Sequence, residues 1–171
     1  MMPEIVYYES PVGWLQLKGD EDHLHALYFC QTEKHRSIVP GEAERMLKPA
    51  STVLANTMTQ LDDYFAGRLM VFDLPLQQEG TGFQQIVWEE LQRITYGKTV
   101  SYLELSKRIG NVKAIRAVGT ANGSNNISII VPCHRVIGSN GDLVGYGGDL
   151  WRKKWLLAHE DKYGNGVQTL F

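Results

Sequence analysis

Residues 101–122, SYLELSKRIGNVKAIRAVGTAN, decide the fold of the second half of the chain. Ser101 can cap a first helix that ends before Gly110, because Glu104 follows it at the spacing of a capping box. A short turn then leads into a second predicted helix over residues 113–122. Two helices joined by a glycine turn are typical of a helix-turn-helix, although a plain helical hairpin has the same pattern.

Positive charge is concentrated in this part of the chain. Residues 91–158 hold 10 basic and 3 acidic side chains, whereas residues 1–90 hold 6 and 14. In a chain of net charge -2, such a block favours a polyanion such as DNA over chance clustering on a solvated surface. The low total charge predicts a modest, salt-sensitive affinity, because few phosphates can be neutralised at once.

The apolar run that follows, residues 127–131 (ISIIV), predicts a short strand that Pro132 ends. Cys133 and His134 come next, so we expect the cysteine at the exit of this strand. A thiol reacts as its thiolate, and neighbouring basic groups lower its pKa. The alternative is a buried structural cysteine beside a surface histidine, which is the commoner situation for an arbitrary Cys-His pair.

The first part of the chain predicts an antiparallel meander followed by a helix. Residues 4–9, 14–18 and 24–29 are short segments rich in β-branched, aromatic and other apolar residues, separated by turn residues. From Pro49 onward apolar residues recur at helical spacing, and Gly67 supplies a stop.

The domain boundary is predicted in residues 70–82, which show no convincing period. It divides the chain into domains 1–80 and 81–171. In the second domain, residues 138–142 have the composition of a hairpin turn, and a closing helix is predicted over residues 150–159. We expect its two tryptophans, Trp151 and Trp155, to pack in the core.

Two cysteines without a C-x-x-C pair argue against a disulfide framework and a zinc ribbon. Cys30 lies near His23, His25 and His35, but one thiol without a recognisable ligand spacing does not predict a metal site. The N-terminus has no basic region followed by an apolar stretch, and no long apolar run occurs. We therefore expect a cytoplasmic protein that neither is secreted nor enters a membrane.

Six motifs in residues 83–160 together resemble the O6-alkylguanine-DNA alkyltransferases, also called methylated-DNA-protein-cysteine methyltransferases. They are 101–102 (SY), 116–119 (RAVG), 121–125 (ANGSN), 132–136 (PCHRV), 145–148 (GYGG) and 154–160 (KWLLAHE). The resemblance implies an α+β fold. Its N-terminal domain would be a ribonuclease-H-like α/β domain of antiparallel strands plus a helix, and its C-terminal domain would be winged helix-turn-helix-like.

The resemblance also implies roles for the reacting residues. Cys133 would attack the alkyl carbon on guanine O6, and Tyr102 would donate a proton to the leaving oxygen. His134 would take the thiol proton through a water, because adjacent residues of an extended segment point to opposite sides. Glu160 would orient His134, and Asn125 would be the hinge between the second helix and the cysteine segment.

The target base must leave the duplex to reach a buried thiolate. Arg116 matches the family arginine that fills the vacated space from the minor groove. Further DNA contacts are expected from Ser101, Lys113, Asn122 and Arg135.

The substrate pocket implied by the resemblance is formed by Val136, Tyr146, Gly147 and Gly148. Asn126 and Ser128 stand where many relatives have proline, and Gly147 stands where some have serine. The added flexibility could widen the pocket for larger alkyl groups.

The resemblance thus implies a monomeric, cofactor-free enzyme that binds double-stranded DNA and transfers one alkyl group to Cys133, from O6-alkylguanine and less well from O4-alkylthymine. One alternative is an alkyltransferase-like protein that binds damage without transfer. Such relatives lack the acceptor cysteine, which this chain has. Another is a cysteine hydrolase, suggested by Cys133 and His134 alone.

Overall fold

The computed structural model describes residues 2–33 and 40–165, so His35 lies outside the described residues. The chain forms two compact units, residues 1–79 and 80–171. Within the described ranges, no helix is both long and apolar enough to cross a membrane. No group of three His, Cys, Asp or Glu side chains in those ranges could hold a metal ion.

The first unit contains the predicted meander. Strands β1 (Glu4–Ser10), β2 (Gly13–Gly19) and β3 (Leu24–Phe29) pair antiparallel in the order β1-β2-β3. Side chains alternate between the two faces of the sheet, and Leu15 and Leu17 on the inner face are fully buried.

Two helices follow in this unit, α1 (Glu42–Arg45) and α2 (Thr52–Phe65). Ser51 caps α2 by accepting a hydrogen bond from the backbone N–H of Leu54 at 3.2 Å. The predicted stop at Gly67 is correct, since this residue follows the helix with φ +78°. In the segment predicted to hold the domain boundary, Leu76 makes a parallel bridge to Leu24 of the sheet.

The second unit is mainly helical, as predicted. Its regular elements are α3 (Gly82–Leu91), β4 (Val100–Ser101), α4 (Tyr102–Ile109), α5 (Ile115–Gly123), β5 (Val136–Ile137) and α6 (Leu150–Gly164), with 3-10 helices at Val112–Ala114 and Cys133–Arg135. A full capping box is formed at the start of α3, where Thr81 and Gln84 each bond the backbone N–H of the other.

The two predicted helices of residues 101–122 are α4 and α5. Ser101 caps α4 by accepting from the N–H of Glu104 at 3.0 Å, and Gly110 ends the helix with φ +87°. The second helix begins at Ile115 instead of Lys113, because a 3-10 turn precedes it. Trp88 of α3 donates its indole N–H to the carbonyl of Ala121 at 2.9 Å and so ties α5 to α3.

The predicted strand at 127–131 is wrong. This run folds back in turns, and Ile129 has φ +71°. Its polar backbone groups bond the carboxamide of Asn125, which accepts from the Ile127 N–H at 3.1 Å and donates to the Val131 carbonyl at 2.7 Å. Ile127, Ile129, Ile130 and Val131 are buried, so the apolar character of the run reflects burial and not a strand.

The turn predicted at 138–142 is present, with the Gly138 N–H donating to the Asp142 carbonyl at 2.8 Å, but no strand returns from it. Strand β5 pairs instead with β4, in parallel. The tryptophan prediction is also wrong for Trp151, which is 51% exposed. The side chains that α6 buries are mostly polar, namely Arg152, Lys153, Leu156, His159 and Glu160.

Candidate active site

Cys133 is the first residue of the short 3-10 helix that follows the folded-back run, and only 6% of it is exposed. Cys133 and His134 were expected in an extended segment, but they lie in this helix, where consecutive side chains point about 120° apart. Burial raises the pKa of the Cys133 thiol. A hydrogen bond with Asn125 and the charge of Lys153 act in the opposite direction. The resting group is therefore a thiol that needs a base.

His134 and Arg135 both meet Glu160 in the interior. The Nε2 of His134 lies 2.7 Å from Oε2 of Glu160. Arg135 makes a bidentate contact with the same carboxylate, at 2.7 Å from Nε to Oε1 and 3.1 Å from Nη2 to Oε2. Its Nη1 donates to the carbonyl of Ile94 at 2.7 Å. Every side-chain nitrogen of Arg135 and both carboxylate oxygens of Glu160 thus have a hydrogen-bond partner.

These contacts determine the protonation states of Glu160 and His134. Burial alone would raise the pKa of Glu160, but the His134 and Arg135 contacts hold it well below its usual range. Burial lowers the pKa of His134, although Glu160 opposes the shift. Arg135 is the main group that keeps Glu160 ionised, because a guanidinium is always protonated whereas His134 is held neutral.

The proton of His134 is located by its neighbours. Because Nε2 faces a carboxylate, that nitrogen carries the hydrogen and donates it. The other ring nitrogen, Nδ1, is buried and has no hydrogen-bond partner among the described residues. Nδ1 is therefore a free base immediately next to the cysteine in the chain.

Tyr102 begins α4 and donates its hydroxyl hydrogen to the carbonyl of Val144 at 3.3 Å. Burial raises the pKa of this phenol, as does a negative charge on Cys133, whereas a hydrogen bond with Asn122 lowers it. Asn122 in turn donates from Nδ2 to the carbonyl of Cys133 at 3.4 Å. The acid, the amide and the thiol-bearing residue thus form one connected group.

The loop predicted to line the pocket lies between Val136 and α6. Burial raises the pKa of Tyr146 well above its usual value, and a negative charge on Cys133 acts in the same direction. Gly148 and Asp149 end the loop, and the guanidinium of Arg152 reaches both, at 3.2 Å to the Gly148 carbonyl and 3.3 Å to the Asp149 carboxylate. Asp149 has φ +72°, which a residue with a side chain rarely adopts.

Lys153 was missed by the sequence analysis. It is fully buried, and its ammonium donates to the carbonyls of Val136, Val144 and Gly145 at 2.6, 3.2 and 3.3 Å. Burial lowers its pKa to about 8, although negative charge on Cys133 opposes this. The available signal was helical phase, since Lys153 lies seven positions before Glu160 on the same face of α6.

The basic block divides between the interior and the surface. Arg135, Arg152 and Lys153 are buried and bond internal groups. Arg135 was expected to contact DNA, but its guanidinium is buried and is hydrogen-bonded to Glu160 and to the carbonyl of Ile94. Asn122 is buried as well, and the Ser101 hydroxyl serves as a helix cap.

The remaining DNA candidates lie outside. Arg116 on α5 and Lys113 in the 3-10 turn before it are both exposed. Arg116 and Lys113 lie on the same helix-turn-helix as Tyr102 and Asn122. This element therefore exposes basic side chains on its surface and places polar side chains near Cys133.

Comparison with known proteins agrees with this arrangement. Residues 82–162 match the family model for the 6-O-methylguanine DNA methyltransferase DNA binding domain, and residues 5–78 match that for its ribonuclease-like domain. The predicted two-domain α+β fold is thereby confirmed.

Full-length relatives match nearly the whole chain. A methylated-DNA-protein-cysteine methyltransferase of Methanosarcina acetivorans is 47% identical over 90% of this chain and 95% of its own. The constitutive enzyme of that name from Bacillus subtilis is 42% identical over 90% of this chain and 92% of its own.

Two crystal structures from Mycobacterium tuberculosis are also similar. The O6-methylguanine methyltransferase has a TM-score of 0.81 and 42% identity, with 99% of both chains covered. The OGT protein in complex with DNA has a TM-score of 0.80 and 42% identity, with 93% of both chains covered. The present chain belongs to the 6-O-methylguanine DNA methyltransferase family.

Proposed function

We propose that the chain repairs alkylated double-stranded DNA by direct reversal, with Cys133 as the acceptor of the alkyl group from guanine O6. The observation that carries this proposal is the buried, unpartnered Nδ1 of His134 next to the buried thiol. The names of the relatives and the DNA complex of the mycobacterial protein support it. O4-alkylthymine is a poorer substrate of the same site.

The reaction begins with loss of the thiol proton. His134 Nδ1 accepts this proton through a bridging water, and the Glu160 carboxylate stabilises the imidazolium that forms. Arg135 keeps Glu160 ionised and in place. Because burial raises the pKa of Cys133, the thiolate is a strong nucleophile once it forms.

The thiolate then attacks the alkyl carbon. The new S–C bond forms while the C–O6 bond breaks, and the electron pair of that bond remains with guanine. Tyr102 gives its hydroxyl proton to the departing base, and the proton held by His134 is returned to the phenolate through solvent. The thioether at Cys133 is not readily hydrolysed, so each molecule acts once and no cofactor is consumed.

DNA is held by the helix-turn-helix of α4 and α5. Arg116 enters the space left by the flipped base, and Lys113 contacts a phosphate. Asn125 links α5 to the cysteine segment through its bonds to Ile127 and Val131, so movement of the helix is transmitted to Cys133.

Within this proposal residues 81–171 form the DNA-binding and acceptor domain, and residues 1–80 form the companion domain. The protein acts as a monomer in the cytoplasm, where both cysteines stay reduced, and neither of them is in a disulfide. Binding of damage without transfer is not favoured, because the acceptor cysteine is present with its base.

The test is intact mass after incubation with a duplex containing one O6-methylguanine. We expect a gain of one methyl group in the wild type, no gain in Cys133→Ala, and the full gain in the matched control Cys30→Ala. Absence of the gain in the wild type, or its persistence in Cys133→Ala, would overturn the proposal.

A further inference from the structure

Asn122 is buried where a DNA contact was expected. It lies on α5 with 5% of its surface exposed, and its Nδ2 donates to the Cys133 carbonyl at 3.4 Å. The same carboxamide is hydrogen-bonded to the phenol of Tyr102. The amide therefore lies between the group that gives a proton to the base and the residue that attacks it.

The other end of this amide has no donor. Oδ1 of Asn122 is shielded from solvent and has no hydrogen-bond partner among the described residues. The Cys133 carbonyl determines the orientation of the Asn122 amide. A carbonyl oxygen only accepts hydrogen bonds, so the NH2 group of the amide must face it. A buried acceptor without a donor is unfavourable in the free protein, and such groups recur at functional sites.

Two backbone acceptors beside the site are already in use. The carbonyl of Val136 accepts from the Lys153 ammonium at 2.6 Å, and the carbonyl of Cys133 accepts from Asn122 itself. The Cys133 carbonyl also accepts from the backbone N–H of Val136, whereas Oδ1 of Asn122 has no donor among the described residues. It is the acceptor that gains most from an incoming donor.

The substrate of the proposed reaction offers one such donor. In O6-alkylguanine N1 carries no hydrogen, so the 2-amino group is the only N–H donor on the Watson–Crick edge. O4-alkylthymine has no donor on that edge. An unpaired acceptor in the pocket thus distinguishes the two damaged bases by chemistry that is independent of the alkyl group.

We infer that Oδ1 of Asn122 accepts a hydrogen bond from the 2-amino group of the flipped guanine, which makes Asn122 a specificity-determining residue. The inference rests on the proposed function. The Asn122 amide is hydrogen-bonded to the Cys133 carbonyl, so it lies beside the residue that the flipped base must reach.

The experiment compares two duplexes that differ by one amino group, containing either O6-methylguanine or O6-methylhypoxanthine. Single-turnover rate constants are measured for the wild type, for Asn122→Leu, which has a similar volume without polar atoms, and for Asn122→Met. We expect the wild type to favour O6-methylguanine by about tenfold, because the analogue leaves the buried acceptor unpaired. In both variants the ratio falls towards one.

Thr120→Ala, at an exposed position of the same helix, is the matched control and keeps the wild-type ratio. The ratio cancels any general loss of rate in the variants, including weaker support of Tyr102. A wild-type ratio near one overturns the inference, and so does a folded Asn122 variant that keeps the tenfold preference. If the wild type reacts with neither duplex, the proposed function itself fails.

Discussion

Tyr102 and Lys153 donate hydrogen bonds to the same oxygen, the carbonyl of Val144, at 3.3 and 3.2 Å. In the free protein the Tyr102 proton is thus directed at the pocket loop, and it must turn to the base during the proposed reaction. Lys153 keeps the Val144 carbonyl hydrogen-bonded when Tyr102 leaves it. The position of the loop therefore depends on a buried lysine.

Replacing Lys153 by Met should weaken the loop and slow alkyl transfer. The change removes the Lys153 donor from three carbonyls, of which Val144 keeps only Tyr102. Each hydrogen bond to a charged group contributes about 1.5–3 kcal/mol at most. We expect a lower Tm and at least a tenfold lower transfer rate. Lys154→Met, an exposed neighbour, is the control and should change neither quantity. A wild-type rate in Lys153→Met would contradict the role of the loop contact.

Glu160→Gln should destabilise the protein strongly. The substitution leaves the buried guanidinium of Arg135 without its anion, and loss of one partner of a buried pair costs about 3–5 kcal/mol. Urea denaturation measures this loss. Asp161→Asn, exposed on the same helix, should remain close to wild type. If the two variants are equally stable, the buried ion pair does not hold the site together.

Stability should fall as the pH is lowered through about 6.5. Burial holds the pKa of His134 below its usual value of 6.5, so only the unfolded chain takes up this proton just below that pH. Protonation therefore favours unfolding, with a slope of at most about 1.4 kcal/mol per pH unit for one group.

The slope attributable to His134 is obtained by comparing the wild type with His134→Gln between pH 5 and 7.5. We expect a shallower dependence in the variant, whatever its stability at neutral pH. Parallel curves would show that His134 is not held neutral by the fold.

Arg116→Ala should slow transfer from duplex DNA by more than tenfold while leaving reaction with the free base O6-benzylguanine nearly unchanged. Arg116 is exposed on α5, and its proposed role applies only where a base must leave the stack. Arg93→Ala removes a similar surface charge away from the helix-turn-helix and serves as the control. An equal loss with duplex and free base would place Arg116 in the chemistry instead of in base flipping.

Asp149→Gly should be more stable than Asp149→Ala by about 1 kcal/mol or more, since both lose the contact with Arg152 but only glycine adopts φ +72° without strain. Thermal unfolding of the two variants gives the difference. Equal Tm values would mean that the backbone at this position relaxes freely.

Local patterns in the sequence were sufficient for much of the fold. The meander, the cap at Ser101 and the stops at Gly67 and Gly110 were predicted correctly, because alternation, helical period and turn residues act over a few positions. The run at 127–131 was not, since apolar character reports burial and not pairing. Whether it forms a strand depends on long-range partners, and in the structure the carboxamide of Asn125 bonds the backbone at both ends of the run.

The sequence by itself determined the family, the two-domain fold and the cysteine with its histidine, because these follow from contiguous motifs and local periodicity. Only the tertiary structure decided which polar side chains turn inward. The basic or polar stretches that hold Arg135, Asn122 and Lys153 predict a DNA-binding surface. Each of these side chains is nevertheless buried and hydrogen-bonded to a residue more than ten positions away. A charge is kept in the interior only by partners that folding brings to it, so its role depends on long-range contacts that no local pattern contains.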